Sequence, residues 1–400
     1  MTKLRVLFVD DEVAILEGLR NLLRKERNRW DMAFASSGAQ ALAEIEKARV
    51  DVIVSDMRMP GMDGATLLAR VKAEYPSVAR LILSGHAEQE AVLRALPVAH
   101  QFLSKPCDAS VLRSAIERTH RVSALLDDDG IRSIIGRLER LPSVPSTYLE
   151  LTRAAADPKR SIADLAKIVE TDPAMCVKVL QLVNSSYFGL AQRIGSVRHA
   201  VAYMGLESLK GLVLSANVFA AMESQPTPHF SLERLQESSL HAARIARRLF
   251  SDARKADEAF TAALVHDIGK IVLALGFREE FERVAVDAQV SGRPVHLVEK
   301  EILGVDHCEA GAYLLGMWGL PFGIVETVAF HHTPSLISDG PRDILAAVHV
   351  ADVLGDSACY GEPPIDSGSA LDLKFLEGAG IAGDLPEWTA IAEEESRRAA

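Results

Sequence analysis

Cysteine is scarce in this sequence. Only four occur among 400 residues, far apart along the chain and without a C-x-x-C pair. This spacing argues against a disulfide framework and a zinc ribbon. Long apolar runs are also missing: the N-terminal run is too short for the core of a signal peptide, and the others fall short of the roughly 18 residues of a transmembrane helix. We therefore expect a cytoplasmic protein in a reducing compartment, with no membrane partner.

An excess of basic charge is missing as well. The 44 Lys and Arg residues are outnumbered by 55 Asp and Glu residues, which gives a formal net charge of −11. A chain of this charge has no general electrostatic attraction to nucleic acids or anionic lipids. The sequence also lacks a basic recognition helix. We therefore expect no nucleic acid partner, and a transcription factor is disfavoured.

The N-terminal third alternates short apolar runs with amphipathic helical patterns. Its strands and helices predict an α/β domain in which helices cover both faces of a parallel sheet. The overall composition, 48% hydrophobic and 25% charged, is ordinary for folded domains. The chain length predicts two or three domains in all. The five predicted strands are residues 4–9, 32–35, 50–54, 80–83 and 101–103.

Polar side chains gather where these strands end. Asp10 and Asp11 follow the first strand, Asp56 the third, Ser84 the fourth and Lys105 the fifth. Ligands bind at the carboxyl ends of such strands. Three converging carboxylates favour Mg²⁺, and an added lysine and hydroxyl suit a phosphoryl group, with one aspartate as the nucleophile. The alternative is that the acidic residues only cap the helices that follow them.

Four motifs in this region, in order and with matching spacing, resemble the receiver domain of two-component response regulators. They are residues 9–12, 54–64, 83–86 and 102–106. The resemblance implies a doubly wound, flavodoxin-like sheet. It also implies a sensor histidine kinase as partner and a homodimer surface within residues 102–116.

The resemblance assigns a role to each residue of this site. Asp56 would be the phosphoacceptor, and Ser84 and Lys105 would bind the phosphoryl oxygens. Phe102 would be an aromatic switch that turns inward when Ser84 moves. The ligands of Mg²⁺ would be the side chains of Asp10, Asp11 and Asp56 and the backbone carbonyl of Arg58.

From residue 138 onward the pattern becomes all-helical. An acidic patch at residues 127–130 interrupts the preceding helical pattern and predicts a linker. Ser161 is a predicted N-cap, and residues 257–275 read as one helix. Histidines and aspartates on several helices are able to surround one or two divalent metals. The candidate ligands are His241, His266, Asp267, His307, His331, His332 and Asp352.

Residues 266–270, His-Asp-Ile-Gly-Lys, resemble the HD phosphohydrolases, in which a metal-activated water attacks a phosphate ester. Six blocks resemble one branch of that superfamily, the HDOD domain. This resemblance implies a signalling or protein-interaction output without catalysis. The blocks are residues 138–145, 171–174, 179–189, 194–201, 264–270 and 306–315.

Enzymatic activity stays open at this point. A receiver-gated phosphohydrolase holding Fe, Mn or Zn is the alternative to an interaction module. No Gly-Tyr-Pro block follows His331 and His332, so cyclic di-GMP is a doubtful substrate. Taken singly, His241 and His307 are more often hydrogen-bonded core or surface histidines. His266 and Asp267 are also explained as a hydrogen-bonded pair within a helix, and Lys270 by an ion pair with Asp267. Cys308 is most simply a small buried residue.

The sequence thus predicts a response regulator that passes a phosphorylation signal to another signalling protein through its HDOD domain. The expected organisation is a receiver at residues 1–124, a linker at 125–137, the HDOD domain at 138–355 and a tail of unknown role at 356–400. The charged end of the tail, residues 393–398, reads as a solvated, frayed terminus.

Overall fold

The described part of the chain forms two compact units. The first comprises residues 1–139, 181–193 and 313–320, and the second comprises the remainder. The sequence also predicts a helix at residues 207–222, which lies mostly outside the described residues, and the motif residues 85–86 lie wholly outside them. The computed structural model describes residues 3–84, 95, 98–123, 126, 129–138, 141–143, 145–157, 159–185, 188, 190, 193–205, 208–209, 220–221, 230–337, 343–359 and 371–399.

The five predicted strands form one parallel sheet, so the predicted α/β class of the first domain is confirmed. The strand order is β2-β1-β3-β4-β5, which is the flavodoxin-like order. All five strands are rich in apolar residues, and β3 and β4 are buried along their whole length because helices cover both faces. The strands are β1 Leu4–Val9, β2 Trp30–Ala35, β3 Val52–Asp56, β4 Ala79–Ser84 and β5 Gln101–Ser104.

Amphipathic helices cover this sheet. Leu16 and Leu19, three residues apart on the first helix, are both buried, as are Leu67 and Leu68 on the third. This spacing places apolar side chains on one helical face. The helices are α1 Val13–Leu22, α2 Gly38–Lys47, α3 Gly64–Glu74, α4 Ala109–Ser123 and α5 Asp129–Arg137, with a 3-10 turn at Arg24–Asn28.

A buried arginine attaches α5 to the sheet. Arg80 on β4 is 1% exposed, and burial lowers the pKa of its guanidinium to about 10. The guanidinium donates to the carbonyl oxygens of Val98 at 2.7 Å, Val78 at 3.0 Å and Gly136 at 2.9 Å. Because hydrogen bonds offset the cost of burying the charge, Arg80 fixes the end of α5 against the start of β4.

The chain after residue 140 is helical, as predicted, apart from a short parallel pair, Pro142–Ser143 with Ala220–Ala221, within the described part. Ser161 is the predicted N-cap: its Oγ accepts from the Asp164 amide at 3.2 Å, and the Asp164 carboxylate accepts from the Ser161 amide at 3.0 Å. The helices up to residue 303 are α6 Pro145–Ala156, α7 Ile162–Val169, α8 Pro173–Val183, α9 Val197–Met204, α10 Leu232–Arg248, α11 Ala253–Val265, α12 Ile268–Gly276, α13 Arg278–Ser291 and α14 Val295–Leu303.

The later helices belong to the second unit, apart from residues 313–317 at the end of α15. Two 3-10 turns, Pro334–Leu336 and Ala382–Asp384, lie between them. The helices are α15 His307–Met317, α16 Phe322–Phe330, α17 Asp343–Cys359, α18 Leu373–Gly378 and α19 Leu385–Ala399.

The prediction of one helix over residues 257–275 is wrong. Helix α11 ends at Val265 and α12 begins at Ile268, so His266 and Asp267 lie in the turn between them. Asp267 has φ −95° and ψ 10°, outside the helical geometry. Because the apolar residues on both sides of this turn continue the helical spacing, the sequence gives no signal for the break between α11 and α12.

The stretch Ala253–Gly276 has the length and hydropathy of a membrane-crossing helix, with a mean hydropathy of 1.5. Within the protein, 78% of its most apolar window is buried, as in the core helix of a soluble protein. The stretch is therefore explained by packing inside the second unit.

The prediction of a frayed C-terminus is also wrong. Helix α19 buries Trp388 and Ala392, and Trp388 packs with Phe375 of α18 against α17. Arg248 of α10 donates to the carboxylates of Glu394 and Glu395 at 2.6 Å each. The charged residues alternate with buried ones at helical spacing, so the tail belongs to the core of the second unit.

We predict that Trp388→Ala lowers the free energy of unfolding by about 3–5 kcal/mol, because it leaves a cavity under α19. Urea denaturation measures this change. Leu373→Ala is the matched control, because Leu373 is 54% exposed on the neighbouring α18 and its loss should change the free energy by about 0.5 kcal/mol or less. Equal effects of the two substitutions would contradict the packing of the tail.

Candidate functional site

The carboxyl edge of the sheet brings two buried carboxylates and a lysine together. Asp10 follows β1 and is 1% exposed, and Asp56 ends β3. Lys105 follows β5, and its Nζ donates to Asp10 Oδ2 at 2.7 Å and contacts Asp56 Oδ1. Because one ammonium group touches both carboxylates, three separate strands converge on one point.

Backbone groups fix the orientation of the two carboxylates. The Arg58 amide donates to Asp56 Oδ2 at 2.8 Å, and the Glu12 amide donates to Asp10 Oδ1 at 3.0 Å. A Cβ atom on Gly64 would lie 2.1 Å from the carbonyl oxygen of Asp56. Only glycine therefore allows α3 to start so close to the end of β3, and this contact holds the Asp56 loop in place.

The charge on Lys105 is matched to this site. Burial lowers the pKa of its ammonium group, but hydrogen bonds to Asp10 and Asp56 and the charges of these carboxylates outweigh burial and raise that pKa above its ordinary value. Lys105 is consequently cationic at neutral pH, as a group that neutralises a phosphoryl oxygen must be.

The remaining predicted residues of this site lie around the same edge. Ser84 ends β4 and is 2% exposed, and its carbonyl oxygen accepts from the Lys105 amide at 2.8 Å. Phe102 on β5 is buried, with 4% exposure, and pairs in register with Ile82. Asp11 is exposed beside Asp10. Ser84, which is buried, and Asp11, which is exposed, thus both lie at the carboxyl edge of the sheet.

The capping alternative, which covers Asp10, Asp11 and Asp63, holds for Asp63. Asp63 is the N-cap of α3, and its carboxylate accepts from the Thr66 amide at 2.8 Å. The N-cap of α1 is Glu12, which makes no side-chain cap hydrogen bond. Capping therefore does not explain the carboxylates of Asp10 and Asp56, which face Lys105 instead.

The donor set at this edge fits Mg²⁺. The carboxylates of Asp10 and Asp56 lie close enough to share one ammonium group, and Asp11 is exposed next to them. Hard oxygen ligands combined with access to water are what Mg²⁺ requires. The residues present are therefore able to hold it, as receiver domains generally do.

A second cluster lies within the helical unit, where six of the seven predicted ligands come together. The Nε2 atom of His266 lies 3.1 Å from Asp352 Oδ1, and the Nε2 atom of His307 lies 3.1 Å from that of His332. His307 Nε2 is also 3.3 Å from Asp267 Oδ1, and His331 Nε2 is 3.9 Å from the same oxygen. These side chains come from the α11–α12 turn, the start of α15, the end of α16 and α17.

Three of the imidazole rings are anchored from outside the cluster through Nδ1. His266 Nδ1 donates to the Ala263 carbonyl oxygen at 2.5 Å, and His331 Nδ1 donates to that of Val328 at 2.9 Å. His307 Nδ1 donates to Glu299 Oε2 at 2.6 Å. Each ring therefore presents Nε2 to the interior, where it holds either a proton or a metal ion.

Two glycines allow the elements of the cluster to approach. A Cβ atom on Gly269, near the start of α12, would lie 1.8 Å from the His307 carbonyl oxygen. A Cβ on Gly311 would lie 3.1 Å from the Gly269 amide nitrogen. The α11–α12 turn therefore sits directly against the first turns of α15, and this contact brings Asp267 and His307 together.

Opposite charges dominate the electrostatics of the cluster. Burial opposes a charge on His266, but the charge of Asp267 and the hydrogen bond and charge of Asp352 outweigh burial and raise the pKa of His266 to about 9. Burial and the charge of His266 lower the pKa of His331 to about 3. Burial would raise the pKa of Asp267, but the charges of His266, Lys270 and His307 lower it. The cluster therefore holds positive charge around two buried carboxylates.

The donor chemistry of this cluster fits a divalent transition metal. Asp267 Oδ1 is buried and has no hydrogen-bond partner among the described residues, although the imidazoles of His307 and His331 lie near it. Imidazole and carboxylate ligands suit Zn²⁺, Mn²⁺ and Fe²⁺. The residues of this cluster are therefore able to hold a divalent metal ion.

The seventh predicted ligand, His241, has a different contact. Its Nε2 lies 3.1 Å from the Ser396 hydroxyl of α19. Sequence reasoning missed Glu299, which is fully buried and accepts from both Nδ1 and the amide of His307. It also missed His296, which stacks on His332 with ring centroids 4.4 Å apart. A buried glutamate in the otherwise amphipathic α14 carries no motif, so the pattern gave no signal for it.

Two family models match the chain, one after the other. The model described as the response regulator receiver domain matches residues 6–117, and the model described as the HDOD domain matches residues 141–334. The first range contains the Asp56 site, and the second contains all members of the histidine–aspartate cluster except Asp352.

Two curated relatives match parts of this chain. An uncharacterized protein of Treponema pallidum is 26% identical over 222 residues, which cover 55% of this chain and 43% of that protein. The transcriptional regulatory protein GlrR of Escherichia coli is 33% identical over 131 residues, which cover 32% of this chain and 29% of that protein. The chain thus spans less than half of the length of these curated relatives.

A solved structure shares the fold. The crystal structure of a virulence factor from Campylobacter jejuni aligns with a TM-score of 0.54 at 19% identity and covers 69% of this chain and 100% of that one. Together with the parallel sheet and the helical unit, the two family matches show that this chain carries a response regulator receiver domain followed by an HDOD domain.

Proposed function

We propose that this protein is a cytoplasmic response regulator in which Asp56 accepts a phosphoryl group from the phosphohistidine of a sensor histidine kinase. The observation that carries the proposal is the contact of Lys105 Nζ with both Asp10 and Asp56 at the carboxyl edge of the sheet. A carboxylate oxygen of Asp56 attacks phosphorus, the phosphorus–nitrogen bond breaks, and its electron pair returns to the imidazole.

The neighbouring residues stabilise this transfer. Lys105 neutralises charge on the phosphoryl oxygens, and the Ser84 hydroxyl binds another of these oxygens. Mg²⁺ would be held by Asp10, Asp11, Asp56 and the carbonyl of Arg58, and when bound it would offset the charge of the phosphoryl group. Phe102 acts as the switch beside Ser84, and its buried position on β5 is compatible with this role.

The HDOD domain is the output in this proposal. The phosphoryl group changes the balance between two receiver states, and the HDOD domain binds another signalling protein. The proposed boundaries are a receiver at residues 1–124, a linker at 125–137 and the output domain from 138. The packing of α18 and α19 supports counting the tail with the output domain, and residues 102–116 are the proposed homodimer surface.

We predict that Asp56→Asn abolishes phosphoryl incorporation from acetyl phosphate and Mg²⁺, because the amide is not a nucleophile. Gel shift on a phosphate-binding gel measures incorporation. Asp31→Asn is the matched control: it removes the same charge from the same domain at an exposed ion pair with Arg5, and should incorporate phosphate like the wild type. Phosphate that persists on the Asp56→Asn protein would refute the assignment.

The convergence of imidazoles and carboxylates supports a second candidate, a receiver-gated metal-dependent phosphohydrolase. Its ligands would be His266, Asp267, His307, His331, His332 and Asp352, and the metal would supply an activated water. A panel of phosphodiesters and nucleotides separates the two functions. We expect no turnover from an interaction module, whereas turnover lost in Asp267→Ala would favour the hydrolase.

We predict that Glu299→Ala weakens divalent metal binding to the HDOD domain by about 10- to 100-fold, because it frees the Nδ1 side of His307. Titration of the chelator-treated full chain with Zn²⁺ measures the affinity. Glu299→Gln keeps a carbonyl oxygen to accept from Nδ1 and should lose less. Glu301→Ala is the control on the same helix, because the Glu301 side chain is 63% exposed, and a loss equal to that of Glu299→Ala would contradict the role of Glu299.

A further inference from the structure

A thiol lies inside the cluster of histidines and aspartates. Cys308 is 4% exposed at the first turn of α15, and its Sγ atom lies 3.9 Å from His331 Nε2. One ligand atom from each of His307, Cys308, His331 and His332 lies within 4.8 Å of the others. Three imidazoles and one thiol therefore surround a common point, although the predicted ligand set contains no sulfur.

This set borders the carboxylate side of the cluster at His307 and His331, whose Nε2 atoms lie 3.3 and 3.9 Å from Asp267 Oδ1. A second group, His266, Asp267 and His331, shares only His331 with it. One oxygen of each carboxylate already has a partner in the protein: Lys270 Nζ donates to Asp267 Oδ2 at 2.8 Å, and His266 Nε2 lies 3.1 Å from Asp352 Oδ1. The sulfur-containing set instead offers a metal ion four ligand atoms that lie together.

The contact between His307 and His332 supports this location. Their Nε2 atoms are 3.1 Å apart, so one of the two nitrogens carries a hydrogen that points at the other. A metal ion between the two imidazoles takes the place of that hydrogen, which leaves to solvent or, if it is on His332, moves to Nδ1 of that ring. Since His307 is anchored through Nδ1 to Glu299, its Nε2 atom is already aimed at this position.

We propose that Cys308 joins His307, His331 and His332 as the fourth ligand of a Zn²⁺ site. Nitrogen and thiolate ligands select this borderline-soft ion, and four protein ligands complete its tetrahedral shell. On binding, the thiol proton leaves to solvent and the sulfur–zinc bond forms. The inference rests on the proposed metal-holding role of the cluster.

A closed site of this kind has a structural role. With four protein ligands, no position remains for a water molecule, so the ion ties the start of α15 to the end of α16 instead of activating a nucleophile. This agrees with an output domain that works by interaction.

Cobalt substitution tests the proposal directly. The chelator-treated full chain is titrated with Co²⁺ in the presence of excess Mg²⁺, which fills the receiver site, and the near-ultraviolet sulfur-to-cobalt charge-transfer band and the visible d–d bands are recorded. We predict one bound Co²⁺ per chain with both sets of bands. Cys308→Ser should lose the charge-transfer band and weaken Zn²⁺ binding by at least about tenfold, because even outer partners of a ligand contribute that much.

The controls separate the possible failures. Cys107→Ser, at a partly exposed cysteine in the receiver domain, should retain the charge-transfer band. Cys308→Ala replaces Cys308→Ser if the serine protein does not fold, and the wild-type spectrum is decisive by itself. Bound Co²⁺ without a charge-transfer band would overturn the role of Cys308 and leave the metal proposal standing. Absence of bound Co²⁺ would overturn both.

Discussion

Carboxylates that face one another in a protein interior repel, and both sites of this protein depend on cations that offset the repulsion. At the sheet edge, the ammonium group of Lys105 touches Asp10 and Asp56. In the helical unit, His266 and Lys270 are the cationic partners of Asp352 and Asp267. In each site, the binding of a metal ion or a phosphoryl group would therefore change the balance between positive and negative charge.

The two folds achieve this convergence by different means. A parallel sheet directs the carboxyl ends of its strands to one edge, so residues distant in sequence meet without any special contact. A helical unit has no such edge. It depends instead on the close approach at Gly269 and on the turn that interrupts the apolar stretch at His266.

This difference explains how much the sequence predicts. The strands are predictable because the apolar residues recur with the spacing of buried strands. The site of Asp10, Asp56 and Lys105 is predictable because these residues follow the ends of strands and suit a phosphoryl group. The break at His266, the role of Glu299 and the docking of α19 are not, since each depends on tertiary contacts that leave the local pattern unchanged. Trp388 and Glu395 read as parts of a polar tail until α10 and α17 are placed beside them.

The central claim is that a phosphoryl group on Asp56 biases the HDOD domain. Hydrogen–deuterium exchange of the full chain, with and without acetyl phosphate and Mg²⁺, tests it most directly. The account predicts changed exchange within residues 141–334 of the wild type and none in Asp56→Asn. Changes confined to residues 6–117 of the wild type, despite complete phosphorylation, would contradict it.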